Sequence, residues 1–171
     1  MSGDPAGPPQ VMWEGNYIRA IKQGRWEYVG RVNQVRAVVI LAEFDGQMII
    51  IDQPRAAVGG RCLELPAGLI GDVDPNATIE GTAVKELEEE TGFTAERIER
   101  LGDFHSSPGM VSESFTLVRA HGVRRCGAGG GTEDEDINVH LVPRTEIPAL
   151  VAEKRAQGLA IDVKLLLFLN F

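Results

Sequence analysis

The nine residues KELEEETGF, Lys85 to Phe93, constrain this chain more than any other stretch of it. Four of them are glutamates, at 86, 88, 89 and 90, and the run closes on a glycine. Ile79, Ala83 and Leu87 recur at i, i+4 and i+8, one apolar stripe of a helix from about Ile79 to Thr91. Gly92 suits a left-handed helix end, and Asn76 or Thr78 suits the N-cap. On that helix Glu86, Glu89 and Glu90 share one face, while Glu88 points elsewhere. Like charges at this spacing cost stability unless a cation bridges them. Carboxylate clusters select hard divalent ions, Mg²⁺ first and Mn²⁺ next. The face is therefore either a solvated acidic surface or a metal site.

Around the helix the pattern alternates between strands and turns. MWEGNYIRAIKQGRWEYVGR is broken by Gly15 and Gly24 and reads as an antiparallel meander. VRAVVILAEF (Val35 to Phe44) is a buried strand, Asp45-Gly46 a hairpin turn, and QMIIIDQPR its partner, ending at Arg55. Gly59-Gly60 turns the chain into RCLELPAG, one short strand with Pro66 near its end. Two further strands flank a Ser-Pro-Gly turn, GAGGGTEDED (Gly127 to Asp136) is a flexible acidic loop, and INVHLVP is another strand. TEIPALVAEKRAQG and IDVKLLLFLNF close the chain as helices. This order implies an α/β fold, a mixed sheet covered by helices.

Composition narrows the function classes. A length of 171 residues suits one domain with short extensions. The expected division is a disordered tail over 1–10, the strand meander over 11–34, and the main domain over 35–171. A net charge of -8 argues against a general nucleic-acid binder. No apolar run reaches membrane-spanning length, and MSGDPAGPPQ lacks the pattern of a signal peptide. Cys62 and Cys126 have no metal-ligand spacing and read as reduced thiols of a cytoplasmic protein. His105, His121 and His140 are isolated and read as ordinary strand residues.

The order LELPAG, loop, then K-E-L-x-E-E-x-G-F resembles the Nudix hydrolase box, which opens on a glycine and closes as R-E-U-x-E-E-x-G-U, with U a bulky apolar residue. Gly68 fits the opening glycine, and Lys85 stands in place of the usual arginine. The loop between them is three residues longer than the pattern, so Asp74 or Ala77 falls where a glutamate is expected, and Asp74 or Glu80 is left to pair with Lys85. Pro108 lies fifteen residues after Phe93, close to where the ADP-ribose pyrophosphatases of this superfamily carry a proline. QPR, SSPGMVSES and GGGTEDEDINVHLVP are similar to that group in the same order, so the resemblance covers Val35 to Phe171.

The resemblance implies an α/β/α sandwich with an N-terminal antiparallel strand extension, a homodimer, and Mg²⁺-dependent hydrolysis of a nucleotide sugar. ADP-ribose, giving AMP and ribose 5-phosphate, is the leading substrate; GDP-mannose or another nucleotide sugar is the alternative, and a non-catalytic ADP-ribose sensor the third. It also implies roles. Glu86, Glu89 and Glu90 would hold metal together with the Ala67 carbonyl. Arg55 would hold phosphate. Glu133 or Glu135 of the acidic loop, the pattern favouring Glu133, would be the general base, with the glycine run lending the loop mobility. Arg31, Glu113, Pro108, Trp26 and Tyr28 would lie near substrate, with Trp13 another aromatic of the meander. The apolar tail LLLFLNF (Leu165 to Phe171) serves the dimer or packs the core.

Overall fold

Glycine, Asp-Gly and proline punctuate the aliphatic runs of this chain, and the structure is correspondingly one of short strands. It is a computed structural model and describes residues 7–33, 35–71, 76–133 and 135–169. Strands β1 (Gln10–Glu14), β2 (Ile18–Gln23) and β3 (Trp26–Arg31) form the expected antiparallel meander. The run after it does not stay one strand. It divides at the fully buried Ala42 into β4 (Arg36–Leu41) and β5 (Glu43–Phe44), because the two halves join different sheets. Asp45 and Gly46, both at positive φ, turn β5 into β6 (Gln47–Arg55).

RCLELPAG divides in the same way. β7 (Gly60–Glu64) pairs with β6, and β8 (Ala67–Ile70) crosses back to β4. Pro66 has no N–H to donate, so the ladder ends before it. Helix α1 (Ile79–Thr91) follows, capped by the Thr78 hydroxyl, which accepts from the Gly81 amide. Then come β9 (Phe93–Thr94), β10 (Arg97–Phe104), β11 (Phe115–His121), β12 (Arg124–Arg125) and β13 (Asn138–Pro143). The chain ends in α2 (Ile147–Ala156), β14 (Ala160–Ile161) and a 3₁₀ helix over Val163–Phe168. That last segment, expected as a regular helix, is a short strand and a 3₁₀ turn. A three-residue period buries Leu165 and Phe168 and leaves Leu166 and Leu167 outside. The described part of the tail thus helps pack the core.

Two mixed sheets result. One has the order β10-β11-β4-β8 with β11 and β4 parallel; the other has β13-β6-β7-β14 with β7 and β14 parallel and β5 on β6. Alternation along the strands assigns the two faces. Val38, Ile40 and Ile49 pack with Ala83 and Leu87 of α1, whereas Val39, Met48 and Ile50 pack with Ile147 and Val151 of α2 and with Leu165 and Phe168. The sheets therefore lie between helical layers, as an α/β/α sandwich. β3 docks on the segment after Pro108: the Val29 amide donates to the Met110 carbonyl and the Ser112 amide to that of Val29, both at 2.9 Å. Among the described residues no helix is long and apolar enough to cross a membrane.

Candidate active site

The two crossovers, at Ala42 and Pro66, bring the end of β6, the start of β8 and one face of α1 together. A cavity of about 630 Å³ opens there, walled by Gln53, Arg55, Ala67, Gly68, Lys85, Glu86, Glu90 and Glu135 among others. Glu90 is buried, Glu86 half-buried and Glu88 exposed, so the helical face divides as its period requires. Glu89 departs from the expected trio. It pairs with Lys85 one turn back at 3.5 Å and is not on the cavity wall. Lys85 thus takes its partner from its own helix. Glu80 is bound to Arg100 at 2.7 Å, and Asp74 lies outside the described residues.

The LELPAG segment holds the carboxylates from the sheet side. The Ala67 amide donates to Glu90 Oε2 at 3.0 Å, which places the residue expected to offer its carbonyl to metal beside that carboxylate. A Cβ on Gly68 would lie 2.2 Å from the Glu86 side chain, so a larger residue there would displace that carboxylate from this position. Arg55 is held by Glu64 through two parallel bonds of 2.8 Å, Nε to Oε1 and Nη2 to Oε2. Its guanidinium is thereby oriented, with one edge already engaged. Glu64 and Gln53 are parts of this site that sequence reasoning missed. The signal for Glu64 was present: a carboxylate between two leucines, in a strand whose neighbours are buried.

The electrostatics are strained in one direction. Burial pushes the Glu90 carboxyl up to about 8; the Ala67 hydrogen bond opposes this, and the charges of Glu86 and Glu135 add to it. Burial likewise raises Glu86, with Lys85 opposing and Glu89 and Glu135 adding. Among the described residues no three His, Cys, Asp or Glu side chains are drawn together as a metal cluster. The donor set nonetheless fits a hard divalent cation: two mutually repelling carboxylates, Glu86 and Glu90, half-buried and buried, face one cavity with a third, Glu135. Cys62 is not on the cavity wall. It is a free, buried thiol pushed up to about 12, chiefly by burial; Cys126 is free and exposed.

The late loop reaches the site by an unexpected route. Its glycines, which suggest mobility in the sequence, cap the carboxyl end of α1. The Gly130 amide donates to the Glu90 carbonyl at 2.9 Å and that of Gly131 to the Glu89 carbonyl at 3.0 Å; Cys126 and Gly127 both donate to Gly92. A Cβ on Gly129 would fall 2.3 Å from the Thr91 carbonyl carbon, so the close approach requires glycine. Beyond these bonds Glu135 turns to the cavity, its carboxylate accepting from the Thr132 amide at 2.8 Å and hydroxyl at 3.2 Å. Glu133 is exposed and off the cavity wall.

The other candidates gather elsewhere. Tyr28, Arg31 and Glu113 line a second cavity of about 500 Å³ with Arg19 and Arg36, and Arg31 Nε donates to Glu113 at 2.6 Å. Pro108 lies exposed in its turn on neither wall. Trp13 and Trp26 are 58% and 60% exposed, so the single chain buries neither; Arg25 stacks on Trp26. Of the histidines, His121 and His140 sit on strands, bonded to Glu99 and Asp52, whereas His105 lies in the loop before Pro108.

Residues 32–160 match the family model of the NUDIX domain. A GDP-mannose pyrophosphatase of Citrobacter koseri is 33% identical over 144 residues, covering 79% of this chain and 71% of that protein. Another, of Pectobacterium atrosepticum, is 34% identical over 147 residues, covering 82% and 72%. A methanol dehydrogenase activator of Bacillus methanolicus is 34% identical over 119 residues, covering 68% and 62%. A crystal structure of an ADP compounds hydrolase superposes with a TM-score of 0.67 at 21% identity, over 85% of this chain and 80% of that one, which is a likeness of fold.

Proposed function

The chain belongs to the Nudix family of hydrolases, and on that premise we propose that it cleaves the diphosphate bond of a nucleoside diphosphate sugar, releasing a nucleoside monophosphate and a sugar phosphate. One observation carries this reading: a single cavity holds the acidic pair Glu86 and Glu90, the oriented Arg55 and the loop carboxylate Glu135. The first two would hold a divalent metal, Mg²⁺ or in its place Mn²⁺. When bound, that metal neutralises the diphosphate and polarises its phosphoryl oxygens. Glu89, held by Lys85, would act from beside this pair, and Ala67 through its amide on Glu90.

Arg55 holds a phosphate in place, its planar head kept in orientation by Glu64. Glu135 takes the proton from the attacking water as the water adds to phosphorus and the bridging P–O bond breaks. Its carboxylate is pre-oriented by Thr132. Glu133, favoured in the sequence pattern, sits outside the cavity and is the lesser reading. Tyr28, Arg31 and Glu113 in the second cavity are suited to the nucleoside or sugar. Pro108 shapes the loop that carries Glu113, and exposed Trp13 and Trp26 are suited to a homodimer contact.

Two substrates merit direct comparison. ADP-ribose follows from the Ser-Pro-Gly segment, the late acidic loop resembles enzymes of either type, and GDP-mannose is favoured by the pyrophosphatases of 33% and 34% identity. Incubation with each, with Mg²⁺ and with chelator, is expected to yield AMP or GMP only when metal is present. Absence of product from both, with ADP-ribose still bound, would replace this reading by that of a sensor. In the same assay Glu135→Gln is expected to lower kcat about a hundredfold with KM little changed, and Glu133→Gln to stay near wild type. The reverse order would move the base to Glu133.

A further inference from the structure

Glu135 stands on a loop whose glycine half is bound to α1, but those bonds end at Gly131. Something else must hold the far side of the turn. The Ile137 amide on the Gly130 carbonyl at 3.3 Å and the β13–β6 ladder that begins at Asn138 hold the residues after Asp136, and Asp136 itself is bound by one side chain, Arg61 of β7. Its Nη1 donates to Asp136 Oδ2 at 2.6 Å and its Nη2 to the Asp136 carbonyl at 2.9 Å. The same guanidinium binds Asp52 of β6, through Nε to Oδ1 and through Nη2 to the carbonyl at 2.8 Å. Asp52 is itself 2% exposed and immobilised by His140, Asn138 and Lys154.

We propose that Arg61 is a positioning residue for Glu135, fastening the adjacent Asp136 to the buried Asp52 so that the Glu135 carboxylate faces the cavity. The inference rests on the assignment of Glu135 as the base. The geometry asks for arginine in particular. Four bonds run in two directions, to a strand on one side and to a loop on the other, and a planar fork spans both while an ammonium group does not. Asp136 adds the complementary half, since its side chain and its carbonyl both accept. Gly130 and Gly131 are pinned to α1 and Asp136 to Arg61 of β7, so Glu135 stands beside a fixed point. Displacing a reacting group by about an ångström is enough to cost on the order of a hundredfold in rate.

The test uses the full chain with Mg²⁺ and whichever of ADP-ribose or GDP-mannose it turns over. Arg61→Lys keeps the charge and loses the fork. Asp136→Ala removes the side-chain half of the tether at an exposed residue, leaving the bond to its carbonyl and the buried cluster, so it serves even if the first variant folds poorly. Both are expected to lower kcat about ten- to a hundredfold with KM nearly unchanged. In a Glu135→Gln background neither should lower it further, whereas a general loss of folded protein would act equally in both backgrounds. Hydrogen exchange should quicken at the amides of 135–137 and stay slow along α1. Wild-type kcat and exchange in both variants would overturn the inference while leaving Glu135 as the base. A Glu135→Gln protein with full kcat would overturn the base assignment and the positioning role with it.

Discussion

Glu90→Gln is expected to reduce turnover by on the order of a thousandfold, because charge stabilisation at the metal is worth several kcal/mol. The fold should survive. Glu90 is buried beside Glu86 and Glu135, and an amide of the same shape removes the charge that burial penalises. The sign of the pH dependence follows. The carboxyl is raised from 4.5 to about 8, so its contribution to stability is fully present below about 4.5 and is lost as pH rises through about 8. In chelator the wild-type Tm should fall across that window, and the variant's Tm should change less and lie higher at the alkaline end. Added Mg²⁺ should raise the wild type more than the variant. Melting curves in chelator and in metal, with turnover measured beside them, check both statements. Near-normal turnover, or equal metal stabilisation of both proteins, would remove Glu90 from the metal site.

Asp52→Ala is expected to cost about 3 kcal/mol of stability and to lower Tm by roughly 10 °C, the largest loss foreseen outside the apolar core. Burial alone would raise this carboxyl, but hydrogen bonds from His140, Arg61 and Asn138 overcome it and hold it at about 2, below its ordinary 3.8. A depressed carboxyl contributes stability that is present above about 3.8 and is lost as pH falls through about 2. Acid titration of the wild type should therefore show a loss in that interval, and Asp52→Ala should show less of it. Deletion strands the four side chains that converge on Asp52 (Arg61, Lys154, His140 and Asn138), and that is the physical origin of the cost. A variant as stable as wild type at neutral pH would mean the cluster is solvated enough to re-form its bonds with water.

Legibility in the sequence followed the range of the interaction. Helix α1 was readable to its ends because its stripe, its threonine cap and its glycine stop are all local signals. The breaks at Ala42 and Pro66 were not, since a strand leaves its sheet for reasons that lie in its partners. Of the carboxylate face, period placed Glu86 and Glu90 together, but the Lys85 pair that draws Glu89 aside is a competition between neighbours that spacing leaves undecided. Arg61 and Asp52 escaped notice altogether. Each looks like an ordinary strand residue until Asp136, seventy-five positions from Arg61, comes to meet it.

What the chain's own order of residues determined was the family and the acidic helix with its candidate carboxylates, because the signals for them are written within a few turns of backbone. Which loop glutamate faces the cavity was decided only by tertiary structure. So were the locking of Arg55 by Glu64 and the use of the glycines as a cap on α1. These depend on close approaches between segments distant in the chain, where a missing Cβ or a single shared guanidinium settles the outcome.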